Sequence, residues 1–173
     1  MDIVYYPDPQ LREKSHPLEE YNQELADLAR AMLDFMYDSR GVGLAGPQVG
    51  LNSRIFVMNP TGDRNQPEAE RVVINPEVRS RRGASTGEEG CLSLPDIYAE
   101  VTRPDRIEVA YRDPSGKEVE LDLEGFQARV FQHELDHLEG ILFIDRIEPA
   151  EKILVRKKLK KLEERFARNR ATH

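Results

Sequence analysis

The stretch that decides the fold is Gln132-His133-Glu134-Leu135-Asp136-His137, which contains the pattern H-E-x-x-H. It lies in the segment 124–139, whose apolar residues recur at helical spacing and which Gly140 terminates, so we predict a helix there. Four residues are slightly more than one helical turn, and both imidazoles therefore project from one face and can meet a single ion. Glu134 lies beside them, where it can act on water at that ion without being a ligand.

The segments around this helix predict an α+β fold. Apolar residues recur at three and four over 23–39, with Asn22 as a cap, which predicts an N-terminal helix. Short apolar or alternating runs predict strands at 54–58, at 71–74 and in a hairpin over 106–123. A last helix is predicted to begin at Pro149, a favoured first helical residue. We therefore expect antiparallel strands packed around a central helix that carries H-E-x-x-H, with an N-terminal and a C-terminal helix.

Composition and charge set further limits. The 173 residues, 39% hydrophobic and 33% charged, suit one catalytic domain over 1–173, with 149–170 as its C-terminal helix. No apolar run is long enough to cross a bilayer, so we expect no membrane partner and a cytoplasmic location. The net charge of −7 hides a basic C-terminal segment, because 151–173 contains nine Lys/Arg against three Asp/Glu. Such a segment indicates an anionic partner such as RNA.

The third metal ligand must come from outside the central helix, since a catalytic site generally takes three protein ligands and keeps one position open. The candidate ligands in the stretch 138–148 are all acidic: Glu139, Asp145 and Glu148. This fits poorly with the zinc peptidases that place their third ligand downstream. Cys91 is the alternative. A lone cysteine is usually an inert buried residue, but Cys91 lies in a stretch bounded by Gly and Pro that is typical of a turn. This context favours Cys91 as the third ligand.

Three stretches of the chain resemble the signature motifs of the peptide deformylase family. They are Gly41-Val42-Gly43-Leu44-Ala45-Gly46-Pro47-Gln48, Glu89-Gly90-Cys91-Leu92-Ser93 and the stretch 132–137, in the family's order and at its spacing. Gly46 and Pro47 depart from the bacterial pattern, which often has Ala and a small polar residue there. The resemblance implies one divalent metal ion held by Cys91, His133 and His137, natively Fe²⁺, with Zn²⁺, Ni²⁺ or Co²⁺ as possible replacements.

The same resemblance implies removal of the formyl group from the N-terminal formyl-methionine of nascent polypeptides, with release of formate. Glu134 would be general base and then general acid, while the Gln48 amide and the Leu92 N–H would stabilise the oxyanion. The resemblance further implies that Val42 and Gly43 bind the substrate backbone as an added strand. Glu89, Arg103 and Asp136 are candidates to orient the ligands, with an ordinary surface ion pair as the alternative. Val130 and Phe126 are candidates for the methionine pocket, although helical spacing makes core packing the safer expectation. The basic C-terminal helix resembles the element that docks family members on the ribosome near the exit tunnel.

Two alternatives remain open from the residues themselves. A general metallopeptidase would use the same H-E-x-x-H, because attack on a formamide and on an internal peptide bond needs the same groups. A non-catalytic ribosome- or RNA-binding domain would use the metal as a structural ion. Closed structural sites usually have four protein ligands, and the sequence offers only three convincing ones.

Overall fold

The computed structural model describes residues 1–171, which form two antiparallel sheets and three α-helices. The helices are α1 (Gln23–Asp38), α2 (Gly125–Leu138) and α3 (Pro149–Ala171). The strands are β1 (Gly43–Ala45), β2 (Ile55–Met58), β3 (Arg71–Arg82), β4 (Ser85–Cys91), β5 (Leu94–Arg103), β6 (Arg106–Arg112) and β7 (Glu118–Glu124). The expected α+β class, with antiparallel strands, is confirmed.

The main sheet has the strand order β1-β2-β3-β6-β7, and every neighbouring pair is antiparallel. The predicted hairpin over 106–123 is present as β6 and β7. The strand predicted at 71–74 is longer than expected, because β3 continues to Arg82 through polar residues that pair with β6. Apolar periodicity could not reveal this half, since its side chains are mostly exposed.

A second hairpin, β4 and β5, was not predicted as strands. Its register pairs Ser85 with Arg103 at the open end and Cys91 with Leu94 at the turn, with a bulge after Gly90. β4 is rich in glycine and acidic residues, which are depleted in strands, so its partner rather than its composition holds it extended. The consequence is that Cys91 lies at the tip of a hairpin, as the last residue before a tight turn.

The central helix α2 packs on the inner face of the main sheet. Phe131 meets Phe56 of β2 with ring centroids 5.0 Å apart in an edge-to-face contact. Ala128, Val130 and Leu138 belong to the same buried cluster. α1 covers the opposite side with a regular apolar stripe, and Asn22 caps it by accepting from the Leu25 N–H at 3.0 Å.

The C-terminal helix α3 packs on β5 along one narrow apolar line. Val155 is buried, and Leu159 and Leu162 pack against the cluster that contains Leu94 and Val101. The remaining faces of α3 are exposed and basic. No helix within residues 1–171 is both long enough and apolar enough to cross a membrane.

Candidate active site

The two histidines of α2 face the β4–β5 hairpin from a largely buried position. His133 is 9% and His137 is 1% exposed, and their ring centroids lie 5.1 Å apart. The hairpin tip brings the Cys91 sulfur to 3.4 Å from His137 Nε2. One potential ligand atom from each of these three residues lies within 4.8 Å of the other two. The tertiary structure therefore brings together the predicted sulfur and both predicted imidazoles.

These three donors fit a divalent transition metal ion. A thiolate and two imidazoles suit iron, zinc, nickel or cobalt, and three ligands leave a coordination position for water or substrate. Burial and the charges of His133 and Arg103 hold the pKa of His137 well below its usual range, which keeps the ring neutral as a metal ligand must be. Burial lowers the pKa of His133, but the hydrogen bonds that its ring donates to Cys91 and Glu89 outweigh burial and raise that pKa above the usual range. A proton therefore competes with a metal ion at His133.

Glu89 orients the ring of His133. Its Oε1 lies 2.8 Å from His133 Nδ1, which leaves Nε2 as the nitrogen available to an ion. Burial raises the pKa of Glu89, but its hydrogen bonds with His133 and Arg103 outweigh this and lower it to about 2. Glu89 thus stays ionised, and a carboxylate partner of this kind fixes both the tautomer and the direction of the ligand.

A buried charge network continues from Glu89 into the protein. Arg103, 3% exposed, donates to Glu89 at 2.7 and 2.9 Å and to Asp136 at 2.8 Å. Asp136 also receives two hydrogen bonds from Arg146, at 2.5 and 2.7 Å. Arg103 therefore ties β4, which carries Cys91, to α2, which carries both histidines.

Glu134 faces the cleft from the same helix. It is 4% exposed, and its Oε2 has no hydrogen-bond partner within residues 1–171. Burial raises the pKa of Glu134 to about 7, where a carboxylate can both accept and return a proton near neutral pH. The other oxygen, Oε1, packs against the backbone of Gly43, where any Cβ would overlap it. The absence of a side chain at Gly43 is what leaves room for Glu134.

Gln48 lies in a short 3-10 turn, Gly46–Val49, that follows β1. Its Oε1 accepts from the Ala45 N–H at 2.9 Å, so the opposite end of the amide must present the NH₂ group. That group lies 3.4 Å from the Cys91 sulfur and 3.3 Å from Ser93 Oγ. Gln48 is 2% exposed, and these contacts hold its NH₂ group toward the metal ligands.

The cleft over these residues has a volume of about 450 Å³. Its walls include Val42, Gly43, Leu92 and Val130 of the predicted substrate and oxyanion residues. Phe126 was predicted on the apolar face of the helix, with core packing the safer expectation for it. It is 54% exposed and lines the cleft instead, in the exposed first turn of α2.

Two arginines of the network were missed from the sequence. Arg129 donates to Glu89 at 2.7 Å and to the Val101 carbonyl at 2.8 Å. Its position four residues before His133 places it on the ligand-bearing face of the helix, which was an available signal. Arg146 left no such signal, because its contact with Asp136 depends on the turn that follows α2.

Three ligand atoms of suitable chemistry, an ionised carboxylate that orients one of them, a buried glutamate and an open cleft define a metal-dependent hydrolase. Comparisons with known proteins narrow this class. The family model for polypeptide deformylase matches residues 1–153. The chain belongs to this family.

Curated relatives and solved structures agree with the family match. The chain is 44% identical to the peptide deformylase of Alkalilimnicola ehrlichii over 163 residues, 94% of this chain and 90% of that protein. It is 47% identical to that of Thermotoga maritima over 158 residues, 91% and 93% of the two chains. The crystal structure of Arabidopsis thaliana peptide deformylase 1B with an inhibitor superposes with a TM-score of 0.94 at 41% identity, over 98% of this chain and 93% of that one. The Plasmodium falciparum enzyme gives 0.94 at 40% identity over 99% of both chains.

Proposed function

We propose that Cys91, His133 and His137 hold one divalent metal ion, Fe²⁺ natively, in a cleft that binds the formylated N-terminus of nascent polypeptides. Family membership makes the chain a metal-dependent deformylase, which hydrolyses formyl-methionine and releases formate. Family membership also argues against the two alternative functions, a general metallopeptidase and a non-catalytic RNA-binding domain. The observation that carries the assignment of residues is the meeting of three ligand atoms within 4.8 Å beside the buried Glu134.

A metal ion held by Cys91, His133 and His137 would lower the pKa of water and polarise a carbonyl oxygen. Glu134 takes the proton of the attacking water on its carboxylate and then delivers it to the amine nitrogen that leaves. Its pKa of about 7 suits both steps. Gln48 Nε2 and the Leu92 backbone N–H donate to the oxygen on which negative charge develops. The Ala45 N–H supports this by holding Gln48 Oε1 at 2.9 Å.

The edge of the main sheet provides a binding site for the substrate backbone. Within residues 1–171, β1 is an edge strand that pairs only with β2, and Gly43 of β1 lines the cleft. We assign Val42 and Gly43 to pair with the peptide as an added strand. Val130 and the half-exposed Phe126 form the apolar wall that receives the methionine side chain.

Formate release from formyl-Met-Ala-Ser tests this proposal, with anaerobically purified enzyme beside the variant Glu134→Ala. We expect the variant to keep its metal and to lose at least about 100-fold in rate, the lower end for removing general acid–base catalysis. Glu124→Ala, which changes an exposed glutamate at the start of the same helix, should retain full activity. Full turnover by Glu134→Ala would refute the assigned proton carrier, and cleavage of an unblocked peptide by the parent enzyme would favour a peptidase.

We propose in addition that 1–173 is one catalytic domain whose basic helix α3 docks on the ribosome near the exit tunnel. Exposed lysines on α3 suit binding to phosphate-rich RNA, and a reduced thiol at Cys91 suits the cytoplasm. Deletion of α3 would also remove Val155 and Leu159 from the core, so charge reversal is the sharper test. Lys157→Glu/Lys161→Glu should weaken ribosome co-sedimentation, whereas Arg112→Glu/Lys117→Glu, at the exposed ends of the β6–β7 turn, should not. Equal co-sedimentation of both double variants would refute docking through α3.

A further inference from the structure

A second cavity, of about 520 Å³, lies between the N-terminal segment and the last turns of α3. We call it the α3 pocket and define it by Tyr5, Tyr6, Pro95, Arg165, Phe166 and Arg170, which are among its lining residues. Its two sides are tied together, because Tyr6 Oη donates to Glu163 on α3 at 2.8 Å. The hydrogen bond therefore holds the N-terminal segment and α3, the two walls of the pocket, together.

The α3 pocket adjoins the active-site cleft. Pro95 lines both cavities, so they meet at this residue. The N-terminal segment that forms one wall of the pocket is hydrogen-bonded to the catalytic region. The Val4 N–H donates to the Gln48 carbonyl at 2.8 Å, and the Tyr6 N–H donates to the Ser93 carbonyl at 2.9 Å. A peptide that leaves the cleft past Pro95 would enter the α3 pocket.

The walls of the α3 pocket suit an acidic or aromatic side chain. Arg165 and Arg170 are exposed cations, and within residues 1–171 neither pairs with a carboxylate. The Arg170 guanidinium lies 5.7 Å from the Phe166 ring centroid, and Tyr5 is 51% exposed. Asp8 is an acidic group in the wall, and its carboxylate already accepts from the Gln10 N–H at 3.0 Å. Two arginines against one aspartate give the pocket wall a net positive charge.

We propose that the α3 pocket is a downstream subsite, which binds acidic and aromatic side chains of the substrate several residues after the formyl-methionine. This inference rests on the proposed function, since it takes the cleft as the site of deformylation. The family model ends at residue 153, whereas the cationic wall comes from Arg165 and Arg170. The cationic wall of the subsite therefore lies in the C-terminal helix α3. It makes the enzyme faster on nascent chains with an acidic segment near the N-terminus.

A peptide series tests the subsite. The parent substrate is formyl-Met-Ala-Ser, and the series adds Gly/Ser residues that carry an Asp-Phe pair at successive positions from 4 to 8. An extended chain advances roughly 3.3–3.6 Å per residue, so the benefit should peak at one or two positions. We expect kcat/KM at that position to exceed the value for the matched Lys-Phe peptide about fivefold, as one or two exposed ion pairs allow. The ratio should approach one in about 1 M salt.

Charge-reversal variants assign the effect to the pocket. The acidic-to-basic ratio should fall to one or below in Arg165→Glu/Arg170→Glu, and it should be unchanged in Lys157→Glu/Lys161→Glu, which changes the same helix outside both cavities. A ratio near one in the parent enzyme, or one that survives the Arg165 and Arg170 changes, overturns the inference. So does loss of ribosome binding in that variant with an unchanged peptide ratio, which would make the pocket a docking site for RNA. Turnover of formyl-Met-Ala-Ser in every variant reports separately on the proposed function.

Discussion

Replacing Arg103 by Met should destabilise the fold more than any single change on its surface. The side chain is 3% exposed and neutralises two buried carboxylates, Glu89 and Asp136. Breaking a buried ion pair by removing one partner costs about 3–5 kcal/mol. Glu89 keeps Arg129 and Asp136 keeps Arg146, so we expect the lower end, about 3 kcal/mol. For a chain of this size that corresponds to a fall of about 6–12 °C in the unfolding midpoint.

The measurement is thermal unfolding followed by circular dichroism, on metal-free and metal-loaded protein. Arg106→Met is the matched control, because Arg106 is 47% exposed and pairs with Asp122, which is 41% exposed. An exposed pair of this kind contributes little, because solvent screens it. If the two variants unfold within a degree or two of each other, the buried network does not hold β4 to α2 as argued.

Three further changes probe single contacts. Gly43→Ala should lower kcat/KM at least about 100-fold with normal metal content, because a Cβ there displaces the Glu134 carboxylate; near-normal turnover would show that the site tolerates this shift. Gln48→Met should lower kcat about 10²–10³-fold at unchanged metal content, as expected for losing an oxyanion donor; a change confined to KM would contradict that role. Burial and the hydrogen bond to Glu163 raise the pKa of Tyr6 to about 12, above its ordinary value of 10.0. Because the pKa of Tyr6 is higher in the folded than in the unfolded protein, its contribution to the free energy of unfolding is complete below pH 10 and is lost as pH rises toward 12. Tyr6→Phe should therefore show a smaller fall in its urea midpoint over that range, and parallel curves would exclude the contribution.

The site was predictable from sequence where spacing along the chain sets geometry. His133 and His137 share a face because one helical turn joins them, and Glu134 follows from the same rule. Cys91 was predictable as part of a turn, although the strands on either side of it were not. β4 has a composition that disfavours strands, and only pairing with β5 makes it one. For Phe126 the safer expectation was core packing, and it was wrong, because helical periodicity does not show which turn of a helix stays exposed.

The sequence by itself determined the α+β class, the helix that carries both imidazoles, the cysteine in a turn and the basic character of the C-terminal helix. These depend on local periodicity, which neighbouring residues set. Only the tertiary structure decided that the sulfur lies 3.4 Å from His137 and that Arg103 joins the hairpin to the helix. It also decided that α3 and the N-terminal segment enclose a cationic pocket beside the cleft. Contacts between residues distant along the chain depend on how whole elements pack, and that information is absent from any single stretch.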